Sequence, residues 1–207
     1  MRTLILFFFA ISLHASAQLM TGPRIGLSLA TISAGGVFNW NGLPKPGPIV
    51  GWSFEVPWTK QASFLLEPMY TSKGSLTQNA QLRTFTSVRL GYLELPVMFK
   101  ISTDTVPDGF FLTAGGMFGW WMNGRTVTRQ DGNVLFESSY TLEGTTNRSQ
   151  VSVGIGFGWD RPRSRFELRY QTSITPFSTV LRGQNLVVGL HYTYLLPVAP
   201  RKAKDGE

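Results

Sequence analysis

Along most of the chain, large apolar residues alternate one for one with small or polar residues. Residues 151–159 (VSVGIGFGW) place Val151, Val153, Ile155, Phe157 and Trp159 on one side and Ser152, Gly154, Gly156 and Gly158 on the other. Successive side chains of a strand point to opposite faces, so a period of two predicts a β-strand with one apolar face. Residues 165–171 (RFELRYQ) repeat the pattern with charge, since Phe166, Leu168 and Tyr170 oppose Arg165, Glu167, Arg169 and Gln171. Six further segments alternate in the same way, at residues 24–32, 48–58, 62–72, 85–101, 109–121 and 185–195. Eight strands of about ten residues result, the length a tilted strand needs to cross a bilayer. No segment holds a 3.6-residue apolar stripe with caps, so little helix is expected.

The connections between these strands alternate in length. Residues 33–47, 73–84, 122–148 and 175–184 are long and polar, whereas 59–61, 102–108 and 160–164 are short turns rich in charge, Pro or Gly. In an up-and-down sheet this places every long loop at one end, as in outer-membrane barrels with short periplasmic turns and longer extracellular loops. Two uncharged runs, 109–124 and 183–200, are the best candidates for a spanning helix instead. The first is short and holds five glycines; the second carries Gln184, Asn185, His191 and two prolines. Neither makes a convincing spanning helix, and both alternate as strands do.

Alternation alone also fits a soluble barrel or sandwich with its apolar face inward. The composition of the other face separates the two. Opposite the large apolar residues stand small ones, among them Gly26, Ser28, Gly51, Ser53, Thr113 and Gly115, which suit the crowded interior of an eight-stranded barrel. The few strand charges fall on that same face: Arg24, Glu55, Glu67, Glu94, Lys100, Arg165, Glu167 and Arg169, four acidic and four basic. Turning Arg or Lys toward lipid at mid-depth costs about 2 to 4 kcal/mol each. A lumenal charge network is therefore expected if the chain spans a membrane, with opposite charges filling the lumen by pairing. Two aromatic belts are then expected at the lipid interfaces, Trp58, Phe99, Phe110 and Trp159 near the short turns and Trp52, Tyr70 and Trp120 nearer the long loops.

Composition sharpens the picture. Only 15% of the 207 residues are charged, against roughly 25% in an ordinary soluble domain, while Gly reaches 22 and aromatics 13%. The first seventeen residues read as a cleaved signal peptide: Arg2 is the positive start, residues 4–13 (LILFFFAISL) form the apolar stretch, and Ala15-Ser16-Ala17 is a small-x-small cleavage site. Ten apolar residues are too few to cross a ~30 Å core as a helix. Residues 18–196 then form the barrel domain and 197–207 a periplasmic polar tail. Beyond residue 17 the chain carries 18 Lys and Arg against 12 Asp and Glu. These cations are scattered singly apart from Arg201, Lys202 and Lys204 in the tail, so lipid headgroups are the expected partner and nucleic acid is not. There is no Cys, which removes disulfides, a cysteine-linked lipid anchor and thiolate metal sites.

Residues 91–100 (GYLELPVMFK) carry a more specific signal. Tyr92, Leu93, Glu94, Leu95 and Pro96 place an acid and a proline inside a strand, a combination strand propensity disfavours. This segment resembles the Tyr-Leu-Glu-hydrophobic-Pro signature strand of the PorT-like outer-membrane β-barrel family, and residues 24–29 (RIGLSL) resemble that family's first strand. The resemblance implies an outer-membrane barrel of Gram-negative bacteria; Sec export is expected from the leader pattern, and an eight-stranded up-and-down barrel is expected to leave both termini periplasmic. Pro96 removes a ladder donor, so a bulge or local break is expected in the fourth strand. Glu94 is expected to face the lumen and pair with Arg169, Arg165 or another base there.

Catalytic chemistry finds little support. His191 is the one histidine beyond residue 17, and alternation sets it in the lumen beside Gly189 and Thr193. Gly154-Ile-Gly-Phe-Gly158 lacks the helix and second strand of a dinucleotide site. Glu67 and Glu94 could form an acid/base pair, but structural pairing with lumenal Arg or Lys fits better. The sequence thus predicts an all-β, eight-stranded antiparallel transmembrane barrel. It has no catalytic, cofactor or metal residues, and four outer loops available to a protein partner or ligand. The alternatives are an outer-membrane barrel enzyme acting on lipid or peptide, for which Asp131, Glu137 and Glu143 are the available loop acids, and a soluble periplasmic lipocalin-like barrel.

Overall fold

The computed structural model describes residues 19–34, 42–105, 107–140, 148–176 and 183–197. The expected leader, the tail beyond 197 and parts of three long loops lie outside these residues. Eleven strands form one antiparallel sheet. They are β1 (Met20–Ala34), β2 (Lys45–Pro57), β3 (Ala62–Leu66), β4 (Met69–Asn79), β5 (Thr84–Ser102), β6 (Gly109–Gln130), β7 (Asn133–Tyr140), β8 (Ser149–Arg161), β9 (Ser164–Ser173), β10 (Gly183–Tyr194) and β11 (Leu196–Pro197). Each neighbour pairs with the next, and β10 returns to β1, with Thr193 opposite Arg24 and Gly183 opposite Ala34. Closure of this kind leaves the ring itself without a sheet edge. The ring has eight positions, because β3 and β4 together fill one, β7 is the return arm of a hairpin on β6, and β11 adds a short pairing to the start of β1. Among the described residues no helix is long and apolar enough to cross a membrane.

The interruption between β3 and β4 has a chemical origin. The register against β5 is the same on both sides of the gap, Leu66 opposite Val97 and Met69 opposite Glu94, which sets Glu67 opposite Pro96. The Glu67 N–H donates to the Pro96 carbonyl at 3.0 Å. The reciprocal bond is missing because Pro96 has no N–H. On the other side the Trp52 N–H donates to the Pro68 carbonyl at 2.9 Å, and again proline cannot return the bond. Two half-made pairs, back to back, interrupt the third strand at residues 67 and 68. The break expected in the fourth strand thus falls in its neighbour, while β5 runs through Pro96 unbroken.

A β-bulge does occur in the wall, on β6. Tyr92 of β5 lies opposite Trp121 and Gly91 opposite Asn123, so Met122 is the extra residue. Below it the odd residues of β6 point inward; above it the even ones do, with Trp121, Gly124 and Thr126 all buried. The long loops are shorter than the sequence suggests. β4 continues to Asn79 and β6 to Gln130, and β7 returns through Asp131 and Gly132, both at positive φ (48° and 87°). Asp-Gly with two positive φ angles is the two-residue turn whose twist matches that of its flanking strands.

The two faces are inverted relative to a water-soluble barrel. Leu27, Leu112 and Ile155 are 64%, 66% and 63% exposed on the outer wall, while Arg24, Glu55 and Arg165 are fully buried inside. Exposed apolar residues occur on all eight positions of the ring. A continuous apolar surface of this size is untenable in water and suits hydrocarbon. This overturns the soluble periplasmic barrel, whose apolar face would line the interior.

Candidate functional site

Interior alternation carries the polar side chains of seven of the eight wall positions, and β6 through Thr113, into one narrow lumen, where they meet in three layers. Nearest the short turns lie Glu55, Lys100, Asp160 and Arg165. Lys100 Nζ is 2.6 Å from Glu55 Oε1, and Arg165 Nε donates to Asp160 Oδ1 at 2.7 Å. Arg165 also bridges to Glu55, and Ser63 donates to the same carboxylate. The Phe111 ring lies beneath both cations, 5.2 Å from Lys100 Nζ and 5.4 Å from the Arg165 guanidinium.

The middle layer joins Arg24, Glu67, Glu167, Arg169 and His191. Arg24 Nη1 donates to Glu67 Oε1 at 2.8 Å, and its Nε donates to His191 Nδ1 at 3.1 Å. Arg24 also donates from Nη2 to Glu167. Arg169 spans both acids, with Nη2 at 2.7 Å from Glu67 Oε2 and Nε at 2.9 Å from Glu167 Oε1. Thr113 donates to Glu167 at 2.7 Å. His191 accepts through Nδ1, the geometry of a hydrogen-bonded structural histidine rather than of a base facing a nucleophile.

Nearest the long loops, Lys73 Nζ lies 2.7 Å from Glu94 Oε1 and donates to Gln150 at 3.1 Å. Gln171 donates to Glu94 at 2.7 Å, and the Tyr92 ring sits 4.8 Å from the Lys73 ammonium. A buried apolar cluster of Leu90, Tyr92 and Trp121, with Ile32 and Val88 against it, packs beside this layer. Each layer holds as many acids as bases. A low-dielectric interior makes any unmatched charge expensive, and the matching is what permits ten ionised groups there.

All eight charges expected in the lumen are buried there and paired. The structure adds two that the strand boundaries hid. Lys73, placed in a loop by the sequence, extends the inward series Met69, Thr71, Lys73 of β4; Asp160, placed in a turn, extends the inward series of β8 past Gly158. Glu94 accordingly meets Lys73, and neither Arg165 nor Arg169 touches it. Continuing the alternation one step past each apparent strand end would have found both.

The aromatic residues expected in the two belts lie on the outer wall. Trp58, Phe64 and Phe99 cluster with ring centroids 5.3 to 6.3 Å apart, and Phe110 stacks on Trp159 at 5.5 Å. Trp120 is opposite Ser149, at the long-loop end, and Tyr70 is opposite Leu93. Trp52 lies nearer the short-turn end than the sequence places it, because β2 begins at Lys45; its indole donates to Thr21. Among the described residues no cluster of His, Asp and Glu has the make-up of a metal site.

Three solved structures are matched at low identity. The attachment invasion locus protein Ail of Yersinia pestis, solved in complex with the heparin analogue sucrose octasulfate, is 10% identical, covering 87% of this chain and 100% of that one with a TM-score of 0.49. Neisserial surface protein A is 12% identical over 86% and 97% of the two chains (TM-score 0.49), and OprG of Pseudomonas aeruginosa 12% over 88% and 97% (TM-score 0.38). No curated protein matches. The decisive match is to a family model, the outer membrane protein beta-barrel domain, over residues 15–179. With a closed ring of eight, an apolar wall and a charge-matched lumen, the chain belongs to the outer membrane protein beta-barrel domain family, and its place is the outer membrane.

Proposed function

We propose that this protein is a non-enzymatic scaffold of the outer membrane whose long-loop end contacts a protein partner or ligand outside the cell. In this reading residues 1–17 direct Sec export and are removed, and both termini and the polar tail are periplasmic. The hairpin of β6 and β7 is the principal contact element. The narrower PorT-like placement rests on Tyr92, Leu93, Glu94, Leu95 and Pro96, which stand in one strand with Glu94 inward. The observation that carries the scaffold reading is the commitment of all ten lumenal charges to one another, which turns the interior into structure. The same hairpin presents Val134, Leu135 and Phe136 on both of its faces, each more than half exposed. Three consecutive apolar side chains there have no use in the wall and suit a partner.

The orientation and the partner role are tested together. Cysteine placed at Leu135 should react with a membrane-impermeant maleimide on intact cells, and the protein should stay in the membrane after carbonate washing. A photo-crosslinker at Phe136 should capture a partner that the same crosslinker at Phe157, on the lipid face, does not. Labelling that requires permeabilised cells would reverse the topology, and identical capture at both positions would remove the hairpin as the contact element.

A further inference from the structure

The bulge at Met122 changes which residues of β6 face outward. Without the extra residue, Arg125 would continue the inward series of Trp121; with it, Arg125 turns to the outer wall, directly opposite Arg89 of β5. Both are exposed. Directly opposed side chains stand about 5 Å apart at Cβ, and like charges in that position repel. Against these stands one carboxylate, Glu137, which pairs with Arg125 at 2.6 Å in an exposed setting. Among the described residues no acid pairs with Arg89.

The height of this pair on the wall is informative. On β5 the outward series runs Val97, Leu95, Leu93, Gly91 and then Arg89; on β6 it runs Phe118, Trp120, Met122 and then, past the bulge, Asn123 and Arg125. The arginines thus sit immediately above the upper border of the apolar belt, at headgroup height. Two neutral polar groups converge on the same border. A side chain at Gly91 would begin only 2.5 Å from Asn123 Oδ1 and 2.6 Å from the Tyr70 hydroxyl, so the missing Cβ is what lets these groups approach.

We propose that Arg89 and Arg125, with Tyr70 and Asn123, bind the phosphate of an outer-leaflet lipid headgroup. The site rests on the outward orientation of the long-loop end proposed above. Guanidinium groups suit phosphate because their planar fork can donate two parallel hydrogen bonds, and an anion between them relieves the repulsion built into the register. The adjoining belt holds the acyl chains, which ties the phosphate to a lipid.

The test uses the protein in phosphatidylcholine nanodiscs titrated with phosphatidic acid, the retained lipid being counted by native mass spectrometry. R89Q/R125Q should weaken retention at least tenfold, and R83Q, at the tip of the β4–β5 turn, less than twofold. Equal retention by wild type and R89Q/R125Q, or an equal loss in R83Q, overturns the site. Release of the lipid by inorganic phosphate at matched concentration reassigns the site to free phosphate and overturns the lipid proposal. The heat-dependent gel shift of each folded barrel separates the two levels. A shifted, inserted barrel without retention sinks the site alone, and a wild-type chain that does not insert sinks the membrane reading and the site with it.

Discussion

Lys73 and Glu94 face each other at 2.7 Å with side chains only 1% exposed, so each is the other's condition for being charged. Removing one partner strands a buried ion, which costs about 3 to 5 kcal/mol, whereas replacing both with neutral groups of similar volume is close to neutral. Glu94→Ala should therefore lower the urea midpoint of unfolding in vesicles sharply, and Glu94→Gln with Lys73→Met should recover most of the loss. A single variant as stable as wild type would show that water reaches this layer. The exposed Arg125–Glu137 pair gives the contrast: R125Q/E137Q should change stability by less than about 1 kcal/mol, because solvent screens the pair. Glu94's inward direction was legible from alternation, but its partner was not. Alternation says which face a residue occupies and leaves open which strand stands across the lumen, and Lys73 lay beyond the point where apolar residues stopped marking β4.

At the level of the strand, glycines separate into those the wall requires and those it tolerates. A Cβ at Gly158 would lie 2.0 Å from the Phe166 carbonyl oxygen and 2.5 Å from the Phe111 ring; at Gly116 the nearest atom is the Ser152 carbonyl oxygen at 4.0 Å. Gly158→Ala forces backbone apart between β8 and β9, for which overpacking by about 1 to 3 kcal/mol is the expected cost. Gly116→Ala points into lipid and should be neutral or stabilising by up to about 1 kcal/mol, since glycine weakens a strand interior. Unfolding midpoints of the two variants check this, and a Gly158→Ala as stable as wild type would contradict the close approach. Sequence shows both as small residues in an alternating run and gives no sign of the difference, which depends on how near the neighbouring backbone comes. The turn at Asp131 and Gly132 is the opposite case. Its Asp-Gly signal was present in the sequence, but the polar residues around it hid the hairpin inside a long loop. The two prolines fall between these cases, since a missing donor is certain from sequence while the strand that breaks is set by register.

For the whole molecule, the question is whether a ring this narrow can conduct. An eight-stranded barrel has an interior just wide enough for side chains, and here three neutral layers occupy it one above another, with an apolar cluster packed beside the uppermost. Layers in series block independently, so the tightest one sets the conductance. The protein should therefore show no stable channel in planar bilayers. Emptying the middle layer alone, with Arg24, Glu67, Glu167 and Arg169 all changed to Ser, should leave it closed, because Lys100 with Arg165 still fills the lumen below and Lys73 with Glu94 above. That variant keeps the lumen neutral by removing two acids and two bases together, so it isolates filling from charge. A steady ohmic current through wild type would contradict the filled lumen. Current through the middle-layer variant alone would show that this layer is the gate and that its neighbours admit water and ions around their pairs.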